Sequence, residues 1–350
     1  MSGMQLIDDL DRPAASLTEA RRGNWVVAPI PFRNELLGAG LVLGAGYLYR
    51  ARDANREARH SVAAIGGMYA ERGSWAAIAG HRGYWAREKY RTTLGLAEGE
   101  ILYDIELDVA GRSGTVSLTQ KFSGATVDAA AKVGASGWLG AGFVYGTTDI
   151  AIRRSDIETP DDFPPSSRID VANLRLSGEL DDRDNDLYPH TGRYGRMQAL
   201  IAREEFGSDD DYETLELEWN SYRALSDAHV LAWRIAGKFV GGDAPFFAMA
   251  WFGSGTDLRG YTPGRYIGDS MIAAQAEWRW QATRRWGFVG FGGAGKVSGA
   301  LGDIDTDQWL PAGGVGVRFR LSKSLPLNMR ADFAWGRDDS TFNLAIGEAF

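Results

Sequence analysis

Residues 251–281 read WFGSGTDLRGYTPGRYIGDSMIAAQAEWRWQ, and two kinds of chain follow one another in them. Phe252 to Tyr266 is a glycine- and proline-punctuated loop that carries Arg259 and Arg265. From Ile272 the pattern alternates strictly. Ile272, Ala274, Ala276, Trp278 and Trp280 fall on one side, and Gln275, Glu277, Arg279 and Gln281 on the other. A period of two is the signature of a strand, here with one apolar and one wet face.

Working outward, the chain from Trp25 is a series of short runs separated by turn chemistry. They cover 25–32, 37–50, 60–71, 74–84, 87–103, 114–133, 137–153, 169–180, 194–203, 212–223, 229–240, 271–281, 286–297, 313–321, 327–335 and 341–350, which makes 16. No stretch has a capped helical period, so nothing supports a parallel sheet with crossover helices. An antiparallel sheet of this size must dispose of its edges, and closure removes them.

A soluble sandwich shows similar alternation. Here, though, the polar side carries charges in mid-strand repeatedly, among them Arg175, Glu216, Glu218, Arg234, Lys238, Glu277, Arg279, Arg318, Arg330 and Asp332. A second sheet cannot pack on such a face, whereas a water-filled lumen tolerates it. The other side is apolar along whole strands, as lipid requires. The expected fold is all-β: a 16-stranded antiparallel transmembrane barrel over residues 23–350, preceded by a polar tail at 1–22. If the chain starts on the periplasmic side, odd-numbered runs lead into outer loops. The loop at 252–266 then lies outside, and the turn DDRDNDLYPHTG after the eighth run lies on the periplasmic side.

The totals agree. Of 350 residues, 45 are glycine, 12 tryptophan and 13 tyrosine, a mix found in barrels with aromatic girdles. A net charge of −8 gives no basic footprint for nucleic acid. Without cysteine there is neither a disulfide framework nor a thiolate metal site. No window of about 18 apolar residues reads as a transmembrane helix. The first 22 residues lack a basic start followed by an apolar core, so they do not read as a signal peptide. An exported form is therefore expected to be mature or truncated.

Several motifs, in order, resemble the BamA/TamA-type outer-membrane assembly and translocation barrels, also called bacterial surface antigens. They are DDRDNDLYPHTGRY at 181–194, GDAPFF at 242–247, LRGY at 258–261, GRYIGD at 264–269, AEWR at 276–279 and FVGFGGAGKV at 288–297, with a terminal Phe350. The resemblance implies a loop folded into the lumen and an arginine held there by acidic residues. Arg259, Gly260 and Tyr261 match the loop tip, and Glu277 matches the carboxylate. A planar guanidinium suits such a bidentate lock. The family often has a second acidic residue on the next strand; that position is Gly293 here, and Asp332 is the candidate substitute.

The resemblance also implies a weak seam between first and last strands, linked to lateral opening. Pro29 and Pro31 each remove a ladder donor from the first strand, or else end it early. Phe342, Leu344, Ile346 and Phe350 read as one face of the last strand, with Gly347 near its end. These four residues, Pro29, Pro31, Gly347 and Phe350, form the candidate seam.

Other chemistry is sparse. Residues 290–295 match a dinucleotide fingerprint by letter but sit in an alternating strand with no helix to receive phosphate. The aspartates at 181–186 lack the glycine of a calcium loop. His60, His81, His190 and His229 have no ligand spacing, and Ser254 lacks a nucleophile elbow. No enzyme, metal or cofactor is expected. The expected role is insertion or translocation of proteins (or lipids) at the bacterial outer membrane. Its partners would be outer-membrane lipids, client barrels or a separate periplasmic module, and not nucleic acid. A passive or selective pore is the alternative, and a lipid-acting barrel enzyme a third.

Overall fold

The computed structural model describes residues 24–50, 59–109, 112–156, 166–253, 257–300, 309–321, 327–337 and 339–350. The expected tail at 1–22, and Ser254, lie outside the described residues. The strands are β1 (Asn24–Asn34), β2 (Gly38–Tyr49), β3 (Ser61–Ala70), β4 (Trp75–Trp85), β5 (Tyr90–Val109) and β6 (Arg112–Val133). Next come β7 (Gly137–Ser155), β8 (Ser166–Asp181), β9 (Gly192–Ala202), β10 (Tyr212–Ser226) and β11 (His229–Gly242). A two-residue strand, β12 (Ala250–Trp251), precedes β13 (Ile267–Trp280), β14 (Trp286–Ala300), β15 (Leu310–Arg320), β16 (Asn328–Trp335) and β17 (Ser340–Ile346).

Each strand pairs antiparallel with its chain neighbour, β11 with β13, and β17 returns to β1. The sheet is thus a closed 16-stranded barrel, with β12 laid against the start of β13 outside the ring. Short turns such as Glu71–Ser74 and Gly134–Ser136 join several neighbouring strands, as antiparallel pairing allows. The alternation decides which face each residue takes. Arg234 is 1% exposed while the next residue, Ile235, is 57% exposed. In water this would be inside out; against lipid it is the favourable order.

β5, β6 and β7 have 20, 22 and 19 residues, well beyond the roughly 9–11 a tilted strand needs to cross a bilayer. They project at the end where the long loop leaves β11. Their inner faces there are apolar: Ile101, Tyr103, Ile105, Val116, Leu118 and Ile150 form a core with Met249, and Phe246, Phe247 and Trp251 pack on it. The runs read at 87–103 and 114–133 are therefore one long hairpin.

Two expectations are corrected. β1 passes through both prolines, so they do not end it early. β17 stops at Ile346 instead of reaching 350. Gly347, at φ +94°, turns the chain inward, and Phe350 is buried with Tyr222 and Ala232 rather than sharing an outer face with Phe342.

Candidate functional site

β13 brings Gln275, Glu277 and Arg279 to the inner face, where they are 4%, 0% and 1% exposed. Arg259, from the loop after β12, is buried against them. Its Nη2 donates to Glu277 Oε2, and its Nη1 donates to Asp332 Oδ2 of β16 at 2.8 Å. Its Nε and main-chain N–H both reach Gln275 Oε1 at 3.4 Å. The guanidinium carbon lies 3.5 Å from the Phe291 ring centroid. Further arginines share the two carboxylates. Arg279 Nε donates to Glu277 Oε1 at 2.6 Å, Arg318 Nη1 to Asp332 Oδ1 at 2.5 Å, and Arg330 Nη1 to Asp332 Oδ2 at 3.1 Å. Buried charges are tolerable only when paired and hydrogen-bonded in this way.

The loop tip fits because glycine lets two main chains approach. Gly260 has φ +112°, and a Cβ there would stand 3.0 Å from the Trp335 carbonyl. Tyr261 donates its hydroxyl to Pro311 O at 2.6 Å and accepts the Arg337 N–H at 3.1 Å. The Thr262 N–H reaches Asp339 Oδ2 at 2.6 Å. Phe252, Leu258, Tyr261 and Tyr266 pack on Met271, Ala273, Val297 and Leu310 of the wall. Gly293 carries no acid because the loop occupies its space. A side chain there would collide with the Ala274 carbonyl and lie 2.9 Å from Leu258 Cδ1. The second carboxylate comes instead from Asp332, the candidate substitute. Gly290 to Gly295 lie inside β14.

The seam can be read from main-chain direction. β1 and β17 share one paired position, Arg33 with Leu344, whereas β1 pairs with β2 along its whole length. Ala39 of β2 turns both main-chain groups towards Glu71, giving its N–H to Oε1 at 3.0 Å and accepting the Glu71 N–H at 2.8 Å. Arg33, opposite Ala39, therefore turns away from β2 towards β17. On β17 the Gly347 N–H goes back to Asn328 of β16, so Leu344, of the other parity, turns its own groups to β1. The Phe342 N–H, of the same parity as Leu344, meets Glu35 Oε1 at 3.0 Å. Pro29 and Pro31 have the parity of Arg33. The donors they lack are those of the seam.

Behind the seam, Glu348 accepts from Arg318 Nε at 2.7 Å, and Phe350 O accepts from Arg279 Nη2 at 2.6 Å. The Arg234 guanidinium lies 4.7 Å from the Phe350 ring. Glu348 and Phe350 thus join the arginine network, while Gly347 keeps its bond to Asn328 of β16. The turn after β8 also packs inward: Leu187 and Tyr188 are buried, and the Tyr188 ring is 5.9 Å from Arg279. Asn185 Oδ1 holds the turn by accepting the Leu187 and Tyr188 N–H groups, each at 2.9 Å. Burial, then the neighbouring Asp181 charge, raises the Asp186 carboxyl above its ordinary value. Sequence reading missed this insertion and Gln275's part in holding Arg259. The Leu187-Tyr188 pair inside an otherwise polar turn was the signal for the first.

A closed antiparallel barrel with an apolar exterior, a charged interior and a loop arginine buried against its wall defines a transmembrane β-barrel protein. The chain belongs to the Omp85 superfamily: the family model described as the Omp85 superfamily domain matches residues 84–350. A search of curated protein sequences finds no match. Among solved structures, BamA from Haemophilus ducreyi lacking POTRA domains 1–3 is similar, with a TM-score of 0.66, 12% identity, and coverage of 98% of this chain and 78% of that one. CdiB from Acinetobacter baumannii has a TM-score of 0.61 and 11% identity over 93% of this chain. CdiB from Escherichia coli has 0.56 and 9% over 93%. The chain spans 60% and 63% of these two CdiB chains. At such identities the likeness is one of fold.

Proposed function

We propose that the chain acts at the bacterial outer membrane as a non-enzymatic barrel that assists insertion or translocation of proteins, using the β1–β17 seam as its opening. In this reading the loop at 252–266 lies folded into the lumen, and Arg259, Gly260, Tyr261 and Glu277 lock it there. The seam carries the proposal. It has one paired position, and Pro29 and Pro31 lack donors on that side. A wall otherwise paired along whole strands is weakest there, so partial opening costs few hydrogen bonds. Family membership and the BamA and CdiB folds support the same role. A client barrel, or a separate periplasmic module that delivers one, is the expected partner. A passive pore fits less well, because the apolar core around Ile105 and Trp251, the locked loop and the inserted Tyr188 all occupy the path through the barrel.

Cysteines at the paired positions 33 and 344 test this, since the chain has none of its own. Oxidation is expected to halt accelerated folding of a client barrel in liposomes, and reduction to restore it. Equal acceleration in both states would remove the seam from the mechanism.

A further inference from the structure

A barrel interior facing water is polar, yet the inner face of β1 to β3 is not. Ile30 and Phe32 of β1 share that face with Val42 and Leu48 of β2 and with Val62 and Met68 of β3. Gly44 and Gly46 stand among them, while a Cβ at Gly66 would already meet Ile78. A Cβ built at Gly44 meets nothing within 4 Å, and at Gly46 only atoms 3.9 Å away. The outer faces of the same strands are also apolar, with Trp25, Val27, Leu43 and Ile65 exposed. Strands apolar on both faces are ordinarily covered on both.

Ile30, Phe32, Val42, Leu48, Val62 and Met68 make this apolar trough one wall of a cavity of about 580 Å³. Other walls bear arginines, which outnumber carboxylates around the cavity although the whole chain has a net charge of −8. Arg175 of β8 is 5% exposed. It gives Nη1 to Asp128 Oδ2 at 3.1 Å and, among the described residues, leaves Nε and Nη2 without a hydrogen-bond partner. Arg330 of β16 likewise leaves Nε without one. Buried guanidinium nitrogens in that state are costly, and an anion relieves them.

We propose that the cavity binds a single-chain anionic amphiphile of the fatty-acid or lysophospholipid class. Its chain lies along the trough of Ile30, Val42, Leu48 and Met68, beside Gly44, and its acidic head pairs with Arg175. The cavity's volume falls within the roughly 300–1,000 Å³ of sites that hold one small ligand. β1 borders both the trough and the seam, so a lipid-side route lies next to the site.

Titrating the detergent-purified protein with lysophosphatidylglycerol, lysophosphatidylcholine and glycerol phosphate, read by native mass spectrometry, tests this. Lysophosphatidylglycerol is expected to bind at least tenfold more tightly than the zwitterionic lipid, and glycerol phosphate not at all. Gly44→Leu, which fills open space, is expected to weaken both lipids at least tenfold. Arg175→Gln is expected to abolish the preference between them. Glycerol phosphate binding as well as the lipid would mean an anion pocket only and overturn the proposal. So would a folded Gly44→Leu protein with unchanged affinity, or the absence of any head-group preference in the unmutated protein. If Gly44→Leu does not fold, Gly46→Val and Arg175→Gln decide by the same criteria. The site does not depend on the insertion role: a protein that binds the amphiphile but leaves client folding unchanged keeps this site and loses that function.

Discussion

Arg259 donates to Asp332 on β16 at 2.8 Å while the same guanidinium holds Glu277 on β13. β14 and β15 lie between those strands, so one loop side chain staples the wall across two intervening strands. Both carboxylates are fully buried. Removing the cation leaves them short of charge and hydrogen bonds.

Arg259→Ala is therefore expected to destabilise the barrel by about 3–5 kcal/mol, the range for breaking a buried pair. Arg259→Lys should recover little, because a point charge cannot serve two carboxylates as a planar fork does. Denaturant unfolding in detergent micelles measures both. A loss under about 1 kcal/mol for Arg259→Ala would show that Arg279, Arg318 and Arg330 suffice without the loop.

Gly293 bears on the same staple from the other side. Gly293→Ala is expected to cost about 1–3 kcal/mol through overpacking against Ala274 and Leu258. In an Asp332→Asn background, Gly293→Asp should not rescue stability, because the loop leaves no room for its side chain. Rescue in unfolding experiments would mean that the two positions are interchangeable and that the loop can shift to admit an acid.

How far the sequence foretold these features depends on range. Alternation is local, so it correctly placed Arg234 against Ile235 and Glu277 against Trp278. It could not give the height of Asp332, which depends on the register of β14, β15 and β16 laid one on another. It misplaced Phe350 because a period of two runs on unaltered through Gly347, where the backbone turns to φ +94°. It was silent on β1 to β3, since LGAGLVLGAG is apolar on both faces and offers no contrast to read.

The inserted turn predicts a pH response. Burial and Asp181 raise the Asp186 carboxyl above its ordinary value. Between the unfolded and folded values the native state holds the extra proton, so stability present at low pH is lost as pH rises through the folded value. Asp186→Asn removes this loss. The variant should match the unmutated protein below the ordinary carboxylate range and exceed it near neutrality. Thermal midpoints from pH 3 to 8 measure the difference, and a variant less stable at pH 7 would show that the Arg183 guanidinium, 3.9 Å from the carboxylate, outweighs burial.

The two seam prolines are not equivalent, and the register separates them. Continuing from Arg33 opposite Leu344, Pro31 faces Ile346, the last residue of β17, whereas Pro29 faces chain that has already turned inward. A restored N–H at 31 thus has a carbonyl to meet across the seam, and one at 29 does not. Pro31→Val is expected to gain an exchange-protected amide and about 0.5–1.5 kcal/mol from the added bond, offset in part by the entropy that proline removes from the unfolded chain. Pro29→Val should gain neither. If the seam is the route for clients, Pro31→Val should also slow client folding in liposomes while Pro29→Val leaves it unchanged. Equal protection at both amides in hydrogen exchange would show that β17 runs on past Ile346 in the membrane, and would return Gly347 and Phe350 to the strand.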